Sequence, residues 1–187
     1  MERLLNIPNC ITSVRILLAP VAWYAALAGC RWFLVVTILI CLLTDFLDGF
    51  FARLLDQATS FGAKLDSVAD NILLVSAVPI AWLIDPSIFY EFPIATIGFL
   101  LLLVAVFAVM FVKHGRMVEI HTYASKFGAP FMWIFLVHGW IFGYDYVLAI
   151  VFYMSSYFYL GEDLILLITR THLDETERGY LFKSSGA

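Results

Sequence analysis

The chain has 187 residues, of which 63% are hydrophobic and only 14% charged, with a mean hydropathy of +0.92 and a formal net charge of −4. Soluble domains carry roughly 25% charged residues, so a chain of this length cannot hide its apolar surface from water, and its solvent must be lipid. A soluble enzyme is excluded, no basic run marks a nucleic-acid binder, and Cys10, Cys30 and Cys41 show neither metal-ligand spacing nor a disulfide framework, so they read as packing residues.

Residues 1–10 mix apolar and polar positions and are expected to form an interfacial segment. Six apolar stretches follow at 11–30, 32–52, 63–84, 92–112, 125–144 and 146–169, each near the roughly 20 residues that cross a bilayer. The first carries Arg15 near its start. Leu27-Ala28-Gly29-Cys30, near its end, has the form of a lipoprotein cleavage box. The region before it holds Asn6, Pro8 and Asn9 and a polytopic remainder follows, so 1–30 is expected to be mature sequence.

Pro79 is a possible kink in the third stretch, and Pro130 interrupts the fifth. The sixth contains Glu162 and Asp163, at least one of them expected to be structural. Trp133, Trp140, Tyr144, Tyr146 and His138 are expected at the membrane interface. Short connections imply antiparallel neighbours. With the N-terminus inside, every Lys and Arg except Arg31 falls on the inner side, which puts both termini in the cytoplasm. The polar tail, 170–187, should lie along that surface. The expected fold is therefore all-α, a single polytopic membrane domain (1–187) with six transmembrane helices.

Four aspartates lie in or beside the second and third stretches. An ionised carboxylate in a spanning helix costs several kcal/mol and needs a reason. Asp45 and Asp48 are spaced i, i+3, and Asp66 and Asp70 i, i+4, so each pair occupies one helix face. With Trp32 and Ile84 as outer ends and a rise of about 1.5 Å per residue, Asp45 lies about 20 Å down, Asp70 about 21 Å, Asp48 about 24 Å and Asp66 about 27 Å. The two pairs thus reach one level, just inside the cytoplasmic boundary of a core about 30 Å thick.

Convergent carboxylates repel unless cations sit between them. Oxygen ligands of this kind favour Mg²⁺, Mn²⁺ or Ca²⁺, and two such ions bridged by four carboxylates can bind a diphosphate. Gly49 and Ala52 leave room for a ligand near the backbone, and Arg53 offers a planar fork to phosphate. Pairing with basic residues is the competing explanation, but only Arg53 and Lys64 lie near in sequence, too few for four acids.

Residues 45–70 spell Asp45-x2-Asp48-Gly49-x2-Ala52-Arg53-x8-Gly62-x3-Asp66-x3-Asp70. This resembles the complete signature of the CDP-alcohol phosphotransferase (CDP-alcohol phosphatidyltransferase) family, with no departure in fixed positions or spacings. The resemblance implies that Asp45, Asp48, Asp66 and Asp70 contact two divalent ions, Mg²⁺ or Mn²⁺. It implies that Asp70 is the general base, and that Gly49, Ala52, Arg53 and Gly62 line the cytidine-diphosphate site with Asp45. It also implies a homodimer. The expected location is a bacterial or archaeal cell membrane, with the active site facing the cytoplasm.

Asn6-Ile7-Pro8-Asn9-Cys10-Ile11-Thr12-x2-Arg15 is similar to the N-terminus of the phosphatidylglycerophosphate and cardiolipin synthase branch. The likeness makes Asn9 and Thr12 candidate CDP-alcohol contacts. Either can instead be the N-cap of the first helix.

The acceptor is less legible. Arg116, His121 and Lys126, in the fourth-to-fifth connection, can bind an acceptor phosphate or serve only as positive-inside residues. The Arg-Glu pair usual early in this region of that branch is missing, which speaks against glycerol 3-phosphate as the acceptor despite the N-terminus. The expected activity is phosphatidyl transfer from CDP-diacylglycerol to a small alcohol or phosphoalcohol, with release of CMP. The alternatives are CDP-choline or CDP-ethanolamine transfer to diacylglycerol, a cation transporter, and a non-catalytic lipid-binding scaffold.

Overall fold

The structure, a computed structural model, describes residues 6–55, 57, 59–114 and 123–169, and among these every regular element is helical. In chain order they are α1 (Ile7–Leu27), α2 (Arg31–Leu54), α3 (Ser60–Ile84), α4 (Ser87–Glu91), α5 (Pro93–Val109) with a π-helical turn at Met110–His114, α6 (Tyr123–Phe142) and α7 (Tyr146–Thr169). Five helices are long and apolar enough to cross a membrane: α1, α2, α3 from Phe61, α5 extended to Lys113, and α7. In α6 the described apolar stretch is Phe131–Phe142. The chain divides into two compact units, Met1–Pro86 and Ser87–Ala187.

In the first unit, α1 starts earlier than the expected 11–30. Pro8 fits the first turn, where a missing N–H costs nothing, and the Asn6 side chain caps the helix by accepting from the Asn9 N–H at 2.9 Å. Asn6 is therefore the cap, and neither Asn9 nor Thr12 serves as one. Residues 7–10 belong to α1. Leu27-Ala28-Gly29-Cys30 forms the turn into α2, with Gly29 at φ +66°, where L side chains are strained. Cys41 is buried, but Cys10 and Cys30 are exposed and pack in no core.

The inward stripe of α1 is polar at one end and small at the other: Asn9, Thr12 and Arg15, then Ala19, Ala22, Ala25 and Ala26, all buried. Small residues let helix backbones approach closely in lipid. Accordingly α1 packs along both α2 and α3, which touch each other far less. The Trp23 indole donates to Ser76 Oγ at 2.8 Å across α1 and α3. At the far end Arg31 lies 3.8 Å from Asp85 Oδ2 and donates to the Ile84 carbonyl at 3.4 Å, tying the start of α2 to the end of α3. The helix runs through Pro79 without a break.

The second unit is built on aromatic side chains. Phe135 stacks on Phe152 at 4.4 Å and an interplanar angle of 7°, with Phe99, Phe131 and Tyr153 around them. Trp133 and Trp140 are core residues, buried among helices, and not the interfacial belt expected of them. Tyr146 is exposed, and Tyr144 and His138 are half-buried. The Thr96 and Tyr153 hydroxyls meet at 2.5 Å, and the Tyr157 hydroxyl donates to the Ala95 carbonyl at 2.7 Å. Asp145 caps α7 by accepting from the N–H groups of Val147 and Leu148 at 2.9 and 3.0 Å. Lys113 closes the opposite end, donating to the carbonyls of Leu167 and Ile168 at 2.9 and 2.6 Å. Glu162 and Asp163 are both buried on α7. The helix α6 continues through Pro130, where an interruption was expected.

Candidate active site

The four aspartates meet, but around a residue that the sequence reading left aside. Arg15, fully buried on α1, reaches all four. Its Nη1 donates to Asp70 Oδ1 at 2.7 Å and to Asp66 Oδ1 at 3.1 Å, with Asp45 Oδ1 in ion-pair contact at 2.8 Å. Its Nη2 donates to Asp48 Oδ2. The expectation that too few basic residues were available for four acids is thus corrected. The partner comes from α1, distant in sequence but wedged against both α2 and α3.

Helix spacing explains the convergence. Asp45 and Asp48 continue the inner stripe of α2 that begins with Leu34, Ile38 and Cys41. Asp66 and Asp70 lie one turn apart on α3. Asn9, Thr12 and Arg15 follow each other at intervals of three on α1, so one face of that helix delivers all three. The Thr12 hydroxyl donates to Asp48 Oδ2 at 2.9 Å, with the Pro8 carbonyl at 3.1 Å. Thr12 therefore orients a carboxylate. Asn9 is buried, and its Oδ1 would lie 2.5 Å from a Cβ added at Gly62. Gly62 thus permits close packing of α3 on α1, and its N–H is capped by Thr59 Oγ1 at 3.0 Å. The Asn6 side chain donates to the Gln57 carbonyl at 3.0 Å, fastening the α2–α3 connection to the start of α1.

One guanidinium among four carboxylates leaves a formal charge of −3. Asp45, Asp48 and Asp66 bring one ligand oxygen each to within 4.8 Å of one another, and Asp70 joins them through Arg15 Nη1. The side chains of Asp45, Asp66 and Asp70 are 41%, 44% and 56% exposed, against 8% for Asp48, so the cluster has a closed floor and an open side. Gly49 and Ala52 are half-buried on the last turns of α2, and Arg53 beside them is exposed. A Cβ at Gly49 would lie 3.7 Å from Arg53 Nη1, so the guanidinium of Arg53 folds back over that glycine.

Of the residues expected to hold an acceptor phosphate, Arg116 and His121 lie outside the described residues. Lys126 falls within α6, but its side chain is outside them too. Arg15 itself was detectable. It lies 12 positions before Leu27, about 18 Å from the outer end of α1 at 1.5 Å per residue, close to the level found for the aspartates.

The chain matches the CDP-alcohol phosphatidyltransferase family over residues 5–159. Curated relatives include the CDP-diacylglycerol–glycerol-3-phosphate 3-phosphatidyltransferase of Wigglesworthia glossinidia brevipalpis, 40% identical over 74 residues, which are 38% of this chain and 41% of the relative. The enzyme of that name from Cereibacter sphaeroides is 37% identical over 93 residues, 43% of this chain and 42% of the relative. That from Aquifex aeolicus is 41% identical over 68 residues, 36% of this chain and 38% of the relative. The chain thus spans about two fifths of the length of the curated relatives it matches. No solved structure matches it.

Proposed function

This chain belongs to the CDP-alcohol phosphatidyltransferase family, and we propose that it moves a phosphatidyl group from CDP-diacylglycerol to glycerol 3-phosphate, releasing CMP. The observation that carries the reading is the convergence of the four motif carboxylates, open on one side, on a single point. Donor and acceptor are supported by the shared name of the relatives.

The donor set fits a pair of divalent ions, Mg²⁺ or Mn²⁺. It is all carboxylate oxygen, the ligand type these ions prefer. Three of its oxygens lie within 4.8 Å of one another, close to the spread that ligands at about 2.0–2.1 Å from one ion require. Asp45, Asp48 and Asp66 would hold the ions, with Asp70 in contact with one. When bound, the ions supply Lewis-acid stabilisation of the negative charge on the leaving phosphate oxygen.

The rest of the reading concerns the protein's own groups. Asp70 is the general base. It is the most exposed of the four carboxylates, so an acceptor hydroxyl can reach it from the open side. As Asp70 takes the hydroxyl proton, the acceptor oxygen bonds to the phosphorus carrying diacylglycerol and the bond from that phosphorus to the CMP oxygen breaks. Gly49 and Ala52 leave the backbone of α2 approachable, and Arg53 offers its fork to the diphosphate. Thr12 holds Asp48 in place. The reading includes six spans, both termini and the site on the cytoplasmic side, and a homodimer. Five spanning-length helices, the 20-residue α6 and the one-sided distribution of Lys and Arg support the topology.

The test is metal-dependent CMP release. Purified protein given CDP-diacylglycerol, glycerol 3-phosphate and Mg²⁺ or Mn²⁺ should release CMP, and chelation should stop it. A panel of other alcohols should give less. No CMP from any CDP-alcohol with any acceptor removes the enzymatic reading, whereas a different preferred alcohol corrects only the acceptor.

A further inference from the structure

We propose that Arg15 is a built-in counter-cation that competes with divalent ions for the four carboxylates, so that metal loading requires its guanidinium to withdraw. The proposal rests on the metal reading above and adds a step to it.

Arg15 Nη1 lies 2.7–3.1 Å from the Oδ1 atoms of Asp70, Asp45 and Asp66. An ion bound to those same oxygens at about 2.0–2.1 Å would have to sit where Nη1 sits. The nitrogen and the ion cannot share that space.

Among the described residues the ion pairs and hydrogen bonds of the guanidinium all go to Asp45, Asp48, Asp66 and Asp70. Its Nε is buried with no hydrogen-bond partner. An arginine serving only as a strut in a dry interior satisfies its donors with carbonyls or side chains that stay put. Here every partner among the described residues is a candidate metal ligand, and none of them is a neutral group that anchors the head in place.

One positive charge against four negative ones leaves the cluster strongly attractive to further cations, and a dication offers twice the charge of a guanidinium at a shorter distance. The backbone of α1 is fixed by its close-packed alanines, so the exchange falls to the torsions of the Arg15 side chain. Arg15 thereby keeps four acids together in the metal-free protein and yields to the ions that replace it.

The experiment measures Mn²⁺ binding by calorimetry on the full chain in lipid nanodiscs, purified with Mn²⁺ and then stripped, comparing wild type with Arg15→Met. The variant should bind Mn²⁺ about tenfold more tightly or better, a change equivalent to about 1.4 kcal/mol. Its melting temperature in chelator should fall below that of wild type, and Mn²⁺ should close the gap. Equal or weaker Mn²⁺ binding by the variant overturns the competition while leaving the metal site standing. No Mn²⁺ binding by either protein overturns the metal reading and the competition together. Should Arg15→Met fail to fold, Arg15→Gln, which keeps a hydrogen-bonding head without charge, decides by the same criterion.

Discussion

Among the described residues of 1–86 the bulkiest fully buried polar side chain is Arg15, ringed by four carboxylates on two other helices. Among the described residues of 87–187 the corresponding bulk is Trp140, and the polar contacts include hydroxyls closed on each other or on carbonyls, as in Thr96 with Tyr153 and Tyr157 with Ala95, and the helix-end contacts of Asp145 and Lys113. The first unit concentrates charge where lipid makes charge expensive. The second also buries two acids, Glu162 and Asp163, but is built mainly on interlocked rings. Burial of charge at such cost is warranted by chemistry, whereas stacked rings need only stability as their reason. The two units should therefore respond differently to substitution, one through turnover and the other through the folded fraction.

The largest effect is expected at Asp70. In Asp70→Asn the amide oxygen can still accept from Arg15 Nη1, whose bond to Asp70 is 2.7 Å long, so the cluster should hold its shape. The variant lacks the proposed base, and general-base catalysis contributes about 10²–10⁴-fold. CMP release should fall by about that factor, with CDP-diacylglycerol binding retained and the melting temperature little changed. Near-normal turnover would remove Asp70 as the base. A large loss of stability would show that the first unit depends on this acid for folding as well, and the contrast between units would weaken.

That contrast was only partly legible in the sequence. The aspartate pairs could be read because helical spacing puts each pair on one face and helix rise fixes depth. Arg15 was missed because basic residues near helix ends were counted toward topology, and because a partner for α2 and α3 was sought between them. The stripe from Asn9 to Ala26 on α1 carried the missing information: three polar residues at intervals of three, continued by alanines small enough to let that helix wedge between its neighbours. In the second unit, aromatic residues near helix ends suggested interfacial belts. Trp133 and Trp140 are core instead, since ring packing within the unit buries more of them than an interface would. The early start of α1 was readable from Pro8 and Asn6, a proline in the first turn with a capping residue before it.

A smaller effect is expected at the stacked pair. Phe135 is 3% exposed and lies 4.4 Å from Phe152. In aqueous cores truncating a buried Phe to Ala costs about 3–5 kcal/mol. In lipid the transfer contribution largely disappears and lost packing remains, so Phe135→Ala should fall at or below the low end of that range, about 3 kcal/mol. Thermal unfolding in nanodiscs should register it, while CMP release per folded molecule stays near wild type. A fall in turnover per folded molecule, with stability intact, would show that the second unit takes part in the chemistry and would break the division.

The smallest expected effect tests the same division at a charged residue of the second unit. Lys113 donates to the Leu167 and Ile168 carbonyls at the end of α7. A cation at a helix C-terminus contributes about 0.3–1 kcal/mol, and the last carbonyls lose a donor when it goes. Lys113→Met keeps the apolar stem and removes only the ammonium, so a loss within that range is expected, read as faster amide exchange over the last turn of α7. If Lys113 is purely a cap, its charge matters only there, and the Mn²⁺ affinity and the CMP-release rate should both stay at wild-type values. A change in either with unaltered exchange would mean that its charge is felt by the reacting groups, and the second unit would then share in the chemistry.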